Sequence, residues 1–484
     1  MTSTSQDLTV DVIIIGGGPT GENVADRVVQ GGLTAALVER ELVGGECSYW
    51  ACMPTKALLR DAAALRSARA LPAAGQAVTG TLDAAAVFAR RDEFTSHWKD
   101  TGQVEWLTGA GITLVRGHGR ITGTRSVTVT ADDGTTTDLQ ARHAVVVSTG
   151  SSSLIPPIPG LEEVGPWTNR EAAGAQSVPD RLAIIGGGVV GAEMATAYSA
   201  LGSQVTLISR TRLLPGVEKF AGEQVAEALR TYGVTLHLDA GATEARRDDG
   251  GEVRVTLSDG TEVTADEVLV ATGRVPNTKD LGLEHVGLEP GSWLKVDDAL
   301  GVVDDNGQLE EGWLYAAGDV NHRALLTHHG KYQARAVGDL IAARARGEEP
   351  DLSAWGRHAA TADERATTQV IFTDPEVVAV GHSAESAEAA GIEVGVVDYD
   401  LGSIAGASLH ADGYRGQARM VIDEQRKILV GFTAVGPDIS ELLHAATIAV
   451  VGEVPLDRLW HAVPAYPTIS EIWLRLLETA GRDR

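Results

Sequence analysis

The chain has 484 residues, of which 43% are hydrophobic and 22% are charged, and its formal net charge is −26. This length predicts two to four domains with a large buried core, so stability requires no disulfide. The acidic balance argues against nucleic acids and anionic membranes as partners. Residues 1–10 lack the basic start and apolar run of a secretory signal, and no apolar stretch is long enough to span a bilayer. We therefore expect a cytoplasmic protein.

The first elements form a strand, a glycine-rich turn and a helix. Residues 11–15 are continuously apolar, as in a buried parallel strand, and a helical pattern follows to about Gln30. A second strand ends in the acidic residue Glu39. Three glycines separate the first strand from the helix: Gly16, Gly18 and Gly21. In this context the glycines indicate a dinucleotide site, where the turn approaches a pyrophosphate and the acid binds a ribose hydroxyl.

Both cysteines of the chain lie in the next segment, GGECSYWACMPTK, at residues 44–56. Cys47 and Cys52 are five residues apart, which on an ideal helix separates their Cα atoms by about 8–9 Å, beyond the ~7 Å limit for a disulfide. A bond therefore requires a bend between them, for instance at a helix start, and Pro54 suits the first turn of such a helix. A helix N-terminus and Lys56 would stabilise a thiolate at Cys52. Two cysteines without a nearby histidine cannot complete a structural zinc site, so we predict a redox-active disulfide and no metal.

The dinucleotide unit is repeated later in the chain. Residues 182–185 are an apolar strand, residues 205–208 are its partner, and Gly186, Gly188 and Gly191 lie between them. The second strand ends in Ser209, followed by Arg210 and Arg212, instead of an acid. A small residue with arginines accommodates a 2′-phosphate, so we expect NADPH to be preferred over NADH, unless the arginines are only solvated.

A hairpin plan accompanies each glycine-rich unit. Alternating residues flank the Asp133-Gly134 turn and lead into an apolar strand at residues 144–147, and residues 253–277 repeat this plan. A further buried strand from Trp313 ends at Gly318 and Asp319, and a helical stretch then continues to about Ala345. The last 130 or so residues mix strands with helices, which is typical of an α+β domain.

In their order and spacing these motifs resemble the flavoprotein pyridine nucleotide-disulfide oxidoreductases, the family of glutathione reductase, dihydrolipoyl dehydrogenase and mercuric reductase. The resemblance covers nearly the whole chain: both fingerprints, a G-G-x-C-x-x-x-x-C-x-P-T-K segment, two Thr-Gly strand ends, the Gly-Asp strand end and a C-terminal P-T-x-x-E. It implies an α/β fold with two Rossmann-like dinucleotide-binding domains and a C-terminal α+β dimerisation domain. The implied division assigns residues 1–155 and 280–350 to FAD, residues 156–279 to NAD(P)H and residues 351–484 to the interface.

The resemblance also implies roles for individual residues. Cys52 would face the flavin, Cys47 would attack the substrate, and Lys56 would pair with Glu193 near the flavin. A homodimer partner would complete the active site through its C-terminal segment. The adenosine half of FAD would be held by Gly16, Gly18, Gly21 and Glu39, and Asp319 would contact the ribityl chain of the flavin. Residues 186–212 would hold the nicotinamide cofactor, through Gly186, Gly188, Gly191, Ser209, Arg210 and Arg212. Further cofactor-binding candidates are Gly45, Thr149, Gly150, Gly273 and Arg274.

The chain departs from the family pattern at its C-terminal motif. The family usually ends H-P-T-x-x-E, with the histidine acting as acid–base and the glutamate orienting it, whereas Tyr466 stands at the histidine position before Pro467 and Glu471. A phenol titrates near pH ~10 and is a poor proton shuttle at neutral pH. His461 replaces the base only if the chain takes a different path, and His328, His329, His410 and His444 are expected at the surface or in packing.

The cysteine segment departs from the pattern as well. Glu46 replaces the usual threonine, and a carboxylate there would disfavour the Cys47 thiolate. Tyr49 and Trp50 either narrow the pocket and stack on an aromatic acceptor or pack against the dimer partner. The chain also ends without the C-terminal cysteine pair of mercuric reductases or high-molecular-weight thioredoxin reductases.

These observations leave three functions open. The first is NADPH-dependent reduction of a small disulfide or related acceptor through the two cysteines, with dihydrolipoyl dehydrogenase activity as a specific case. The second is reduction of quinones or other electrophiles without the cysteines. The third is a flavin-loaded component of a multienzyme complex.

Overall fold

A computed structural model describes residues 6–304 and 312–482 of the chain. The chain divides into two compact units, one formed by residues 1–53, 92–152 and 274–363 and the other by residues 54–91, 153–273 and 364–484. The expected division into three domains stays a prediction. Residues 1–5, part of the segment on which the absence of a signal peptide was judged, lie outside the described residues.

The helices of the described chain are, in order, α1 (Pro19–Gln30), α2 (Gly45–Tyr49), α3 (Cys52–Arg69), α4 (Pro72–Ala77), α5 (Ala84–Phe94), α6 (Thr101–Gly109), α7 (Asn169–Gly174), α8 (Val189–Ala200), α9 (Lys219–Thr231), α10 (Thr327–Ala345), α11 (Ala362–Arg365), α12 (Ala384–Ala389), α13 (Ala405–His410), α14 (Leu443–Val451), α15 (Leu456–Leu459) and α16 (Ile472–Ala480).

The strands are β1 (Gln6–Ile15), β2 (Ala35–Glu39), β3 (Thr113–Arg116), β4 (His118–Gly123), β5 (Ser126–Thr130), β6 (Thr136–Val147), β7 (Ser151–Ser153), β8 (Arg181–Ile185), β9 (Gln204–Ser209), β10 (Thr235–Leu238), β11 (Ala242–Arg247), β12 (Val253–Leu257), β13 (Glu262–Ala265), β14 (Glu267–Val270), β15 (Arg274–Pro276), β16 (Leu314–Ala316), β17 (Thr368–Ile371), β18 (Glu376–Gly381), β19 (Val394–Asp400), β20 (Gln417–Asp423) and β21 (Ile428–Gly436).

A seven-stranded sheet forms the centre of the first unit, in the order β3-β2-β1-β6-β5-β4 with β16 also paired to β6. Strands β1, β2, β3 and β16 run parallel to their neighbours, while β4 and β5 are antiparallel. Ile14 packs with α1 and α10 on one face, whereas Ile13 and Ile15 pack with residues of β4 and β5 on the other. Because β1 is buried on both faces, apolar and polar residues do not alternate along it.

The second unit repeats this arrangement in a modified form. Its parallel sheet has the order β10-β9-β8-β14, and the antiparallel strands β11, β12 and β13 form a separate sheet. Along β8, Leu182 and Ile184 pack with α8 and α9, while Ala183 and Ile185 pack with β11–β13. The rest of this unit carries a five-stranded antiparallel sheet, β17-β18-β21-β20-β19.

Both predicted hairpins are present, but their exits differ. After the Asp133-Gly134 turn, β6 continues without interruption to Val147 and pairs with β5, β1 and β16. The expected separate strand at residues 144–147 is therefore the end of β6. In the second unit Asp266 separates β13 from β14 because its carboxylate accepts a hydrogen bond from the backbone N–H of Arg181, at 2.8 Å.

The third glycine of each fingerprint lets its helix pack against the preceding turn. A Cβ atom on Gly21 would clash with the carbonyl oxygen of Gly16, and one on Gly191 would clash with that of Gly186. By contrast, a Cβ atom on Gly188 would have no heavy atom within 4 Å. Gly191 is thus required by packing, whereas Gly188 has open space beside it.

We expect Gly191→Ala to destabilise the second unit by about 1–3 kcal/mol, because the added methyl group must displace backbone. Urea unfolding followed by circular dichroism, without nucleotide, measures this change. Gly188→Ala is the matched control and is expected to leave stability nearly unchanged. Equal effects of the two substitutions would contradict this packing argument.

Candidate active site

The two cysteines lie on either side of a helix break. Cys47 belongs to α2, which ends at Tyr49, and α3 begins at Cys52. Trp50 interrupts the helix with φ −135°. The predicted bend is therefore present, and it brings the two sulfurs into hydrogen-bond contact.

Thr327, the first residue of α10, is hydrogen bonded to both sulfurs. Its Oγ1 atom lies 3.3 Å from the Sγ atom of Cys52, and its hydroxyl also bonds Cys47. The hydrogen bond with Cys52 raises the pKa of Cys47, burial raises it further, and Thr327 and the charge of Lys331 lower it. The positive end of the α10 dipole also favours negative charge at this position.

Lys56 and Glu193 form the expected ion pair within the second unit. The Lys56 Nζ atom lies 2.7 Å from Glu193 Oε2, and the backbone N–H of Phe372 donates to Glu193 Oε1 at 2.9 Å. The Glu193 side chain is only 3% exposed, so these two bonds satisfy a carboxylate that burial would otherwise penalise. Lys56 is thereby held on α3, one turn after Cys52.

The first fingerprint forms a cradle of closely packed backbone. Gly16 has φ +106°, and a Cβ atom there would overlap Ser148. A Cβ atom on Gly45 would lie 2.8 Å from the Cα atom of Gly18, so the cysteine segment contacts the fingerprint directly. Glu39 accepts a hydrogen bond from the backbone N–H of Gly17 at 2.7 Å, which places its carboxylate at this turn.

Asp319 lies in a polar cluster at the end of β16. Its Oδ2 atom accepts a hydrogen bond from Ser151 Oγ at 2.6 Å, and Arg274 donates to the same hydroxyl at 2.5 Å. Burial raises the pKa of Asp319, Ser151 and Arg274 lower it, and the Glu46 carboxylate raises it. The structure thus brings together Asp319 and Arg274, both of which the sequence identified as cofactor-binding candidates.

Two buried hydroxyl groups beside this cradle have no hydrogen-bond partner within the described residues: Ser148 Oγ and Thr149 Oγ1. Buried polar groups are normally satisfied, so these two fit a bound polar ligand. Gly150 follows with φ +69°. The glycine cradle, Glu39 and the two hydroxyl groups therefore fit the phosphate and ribose groups of FAD.

The second fingerprint has the same backbone geometry but different chemistry at its strand end. A Cβ atom on Gly187 would lie 2.5 Å from Ser209 Oγ, so Ser209 contacts the turn. Arg210 is exposed. The Arg212 guanidinium group instead donates to the carbonyl oxygens of three loop residues, Leu214, Pro215 and Val217, at 3.0, 2.9 and 2.7 Å. Arg212 thus holds its own loop, and its expected contact with a phosphate stays a prediction.

Gly273 and Leu154 are hydrogen bonded to each other within the second unit. The backbone N–H of Leu154 donates to the carbonyl oxygen of Gly273 at 2.9 Å. Gly273 has φ +139°, a conformation that favours glycine. This residue therefore shapes the backbone after β14.

The C-terminal motif separates Tyr466 from Glu471. Tyr466 is 75% exposed, whereas Glu471 is 5% exposed and accepts a hydrogen bond from Arg475 at 2.6 Å. The second carboxylate oxygen of Glu471 is buried without a partner in the described chain. The glutamate that would orient a histidine is thus bonded to an arginine one turn later on α16.

Tyr49 packs inside the first unit, so its ring neither stacks on an acceptor nor packs against a dimer partner. Its ring is 1% exposed, and its hydroxyl donates to the carbonyl oxygen of Val43 at 3.1 Å. The Trp98 indole also donates to the carbonyl oxygen of Tyr49, at 3.2 Å. Burial of an aromatic ring with a satisfied hydroxyl explains this residue.

Among the histidines, His329 is confirmed as a packing residue. Its Nδ1 atom lies 2.9 Å from a carboxylate oxygen of the buried Asp363. His410 pairs with Asp438 at 2.8 Å, and His461 is exposed.

Sequence reasoning did not identify Thr327 and Lys331 as site residues, because nothing in the pattern around them indicates contact with a segment 275 residues away.

None of the helices in the described ranges is long and apolar enough to cross a membrane. Over the same residues, no group of three or more potential ligands forms a metal site.

The second unit also contains a cavity of about 1290 Å³. Pro467 and Thr468, next to Tyr466, are among the residues that line this cavity.

Comparison with known proteins identifies curated relatives along the whole chain. A mercuric reductase from Acidithiobacillus ferrooxidans is 31% identical, with 99% of this chain and 84% of the relative covered. A dihydrolipoyl dehydrogenase from Pseudomonas aeruginosa is 32% identical, with 96% of each covered.

Solved structures have the same fold. LpdA from Mycobacterium tuberculosis has a TM-score of 0.80 at 26% identity, with 97% of this chain and 99% of that chain covered. The HOCl-induced flavoprotein disulfide reductase RclA from Escherichia coli has a TM-score of 0.81 at 23% identity over the same shares.

The family described as pyridine nucleotide-disulphide oxidoreductase matches residues 10–334. Its dimerisation domain matches residues 367–476 and implies a homodimer. Members of the family use FAD and a pyridine nucleotide. The chain therefore belongs to the pyridine nucleotide-disulphide oxidoreductase family.

Proposed function

We propose that the protein uses NADPH and FAD to reduce a small disulfide or a related acceptor through Cys47 and Cys52. One observation carries the proposal: the two thiols contact each other across a helix break and share the Thr327 hydroxyl. Two thiols in this arrangement exchange two electrons by forming or breaking one disulfide bond.

The proposed roles are those that the family resemblance implies, and the contacts of the side chains support them. Bound FAD would supply hydride acceptance from the nicotinamide and two-electron transfer to the disulfide. Cys52, at the start of α3, is proposed as the thiol on the flavin side. Cys47 is proposed to attack the acceptor, and Lys56, held by Glu193, supplies positive charge near the flavin.

Several classes of acceptor are candidates for this protein. Mercuric reductases and dihydrolipoyl dehydrogenases match this chain at nearly equal identity, 31% and 32% in the two relatives above. Dihydrolipoyl dehydrogenase activity is thus a specific case to test. Tyr466 at the histidine position argues against an acceptor that requires an imidazole base.

The same tyrosine motivates a second candidate function, in which quinones or other electrophiles are reduced without the cysteines. Quinone turnover that survives alkylation of both thiols would support this function. A role as a flavin-loaded component of a multienzyme complex is a third candidate. Multiple turnover by the isolated protein would argue against it.

We also propose that the C-terminal segment serves the active site of the partner in a homodimer. Tyr466 and Val463 are 75% and 85% exposed. Such exposure of two apolar side chains three residues apart is typical of a surface that a partner covers.

The main prediction concerns anaerobic titration of the FAD-loaded enzyme with NADPH. The wild type is expected to develop a long-wavelength thiolate–flavin absorbance band, because Cys52 would become a thiolate beside the flavin. Cys52→Ser should lose the band, while the control Cys47→Ser should keep it. Absence of the band in the wild type would favour the second candidate function.

Cofactor preference gives a further prediction. Arg210→Ala is expected to lower kcat/KM for NADPH about tenfold and to leave that for NADH unchanged, because one charge-assisted contact to a 2′-phosphate is lost. Steady-state kinetics with both nucleotides measure the ratio. Arg212→Ala is the matched control, since its guanidinium group holds the loop and its loss should affect both nucleotides equally. An unchanged ratio in Arg210→Ala would contradict the NADPH assignment.

A further inference from the structure

Three helices begin beside Cys47 in the first unit. A Cβ atom on Gly45 would lie 2.8 Å from Gly18 Cα, so α1 and α2 start in backbone contact. A Cβ atom on Gly330 would clash with the hydroxyl of Thr20, so the first turn of α10 packs equally closely on the first turn of α1. Side chains near the starts of these helices are therefore neighbours in space.

Lys331 and Glu22 are two charged residues at this junction. Lys331 follows Gly330 and lies one turn after Thr327, whose hydroxyl is hydrogen bonded to both sulfurs. Glu22 lies in the first turn of α1, two residues after Thr20. Lys331 forms no hydrogen bond or ion pair with any other residue that the structure describes, so no contact neutralises its charge.

The electrostatics agree with this geometry. The charge of Lys331 lowers the pKa of Cys47, against the hydrogen bond with Cys52 and the burial that raise it. Burial raises the pKa of Glu22 to about 7; Lys331 lowers it, and the Glu39 carboxylate raises it. Among the charges that shift these two pKa values, Lys331 is the one that shifts both, that of Cys47 and that of Glu22.

We propose that the Lys331 ammonium group stabilises the Cys47 thiolate in this chain, and that the Glu22 carboxylate opposes it. Lys331 would supply, within the same subunit, the positive charge that an imidazolium at the position of Tyr466 would otherwise supply. Both are positioning residues, since they act through Cys47. The inference rests on the proposed function, in which Cys47 attacks the acceptor.

The step that this charge assists is thiol–disulfide exchange. The Cys47 thiolate attacks one sulfur of the acceptor disulfide, a bond from Cys47 to that sulfur forms, and the other half leaves as a thiolate that takes a proton from water. Cys52 then attacks the Cys47 sulfur, which re-forms the internal disulfide and releases the second half of the acceptor. The two electrons come from the reduced nicotinamide cofactor.

The test measures the thiolate directly, without turnover. In the FAD-loaded Cys52→Ser protein Cys47 is the only cysteine, and its rate of alkylation by iodoacetamide is followed against pH. Adding Lys331→Met is expected to raise the midpoint by about one pH unit, which slows alkylation about tenfold below the midpoint. Adding Glu22→Gln is expected to lower the midpoint, because above pH 7 the ionised carboxylate no longer opposes Lys331.

As matched controls, a residue with the same sign of charge is neutralised one turn farther along each helix. Arg335→Met on α10 and Asp26→Asn on α1 are expected to shift the midpoint much less than their counterparts. Lys331→Arg keeps the charge and should retain the midpoint of the Cys52→Ser protein. The inference would be overturned if Lys331→Met shifts the alkylation midpoint no more than Arg335→Met does. It would also be overturned if Lys331→Met and Glu22→Gln shift the midpoint in the same direction.

The outcome is separable from that of the proposed function. If Cys47→Ser retains turnover of every acceptor, the proposed function fails, whereas the alkylation midpoints still report on Lys331. If Cys47 is essential but Lys331→Met leaves its midpoint unchanged, only the inference fails. FAD content and the absorbance spectrum of each variant establish that it is folded.

Discussion

The close backbone contact between Gly18 and Gly45 is the constraint on which the first unit depends. A side chain at Gly45 would separate the fingerprint turn from the cysteine segment, since a Cβ atom there would lie 2.8 Å from Gly18 Cα. With glycines there, the N-termini of α1 and α2 meet. The dipole of α1 then favours negative charge at this turn, which suits a pyrophosphate.

The second unit depends on a buried carboxylate rather than on glycine contact alone. Glu193 is bonded to Lys56 and to the backbone of Phe372, so one side chain of the fingerprint helix α8 connects α3 to the segment after β17. Leaving such a group unpaired costs several kcal/mol, roughly 3–5 for a broken buried pair. The same unit directs Arg212 into its own loop, which leaves Arg210 as the exposed cation beside Ser209.

The C-terminal motif bonds its glutamate within the same helical segment. Glu471 pairs with Arg475, and Tyr466 is exposed. The proposed Cys47 thiolate therefore depends on charges in the first unit. The junction of α1, α2 and α10 provides a cation for this purpose, at Lys331, within the unit that holds both cysteines.

The sequence by itself determined the repeated strand–glycine turn–helix plan, the two hairpin turns and the break between Cys47 and Cys52. These features are local: apolar runs, glycine spacing and a proline in the first helical turn act over a few residues. Only the tertiary structure decided that Tyr49 is buried, that Arg212 binds its own loop, and that Thr327 is hydrogen bonded to the cysteine sulfurs. Such contacts join residues far apart in the chain, and they depend on how closely helices pack, which periodicity and spacing do not encode.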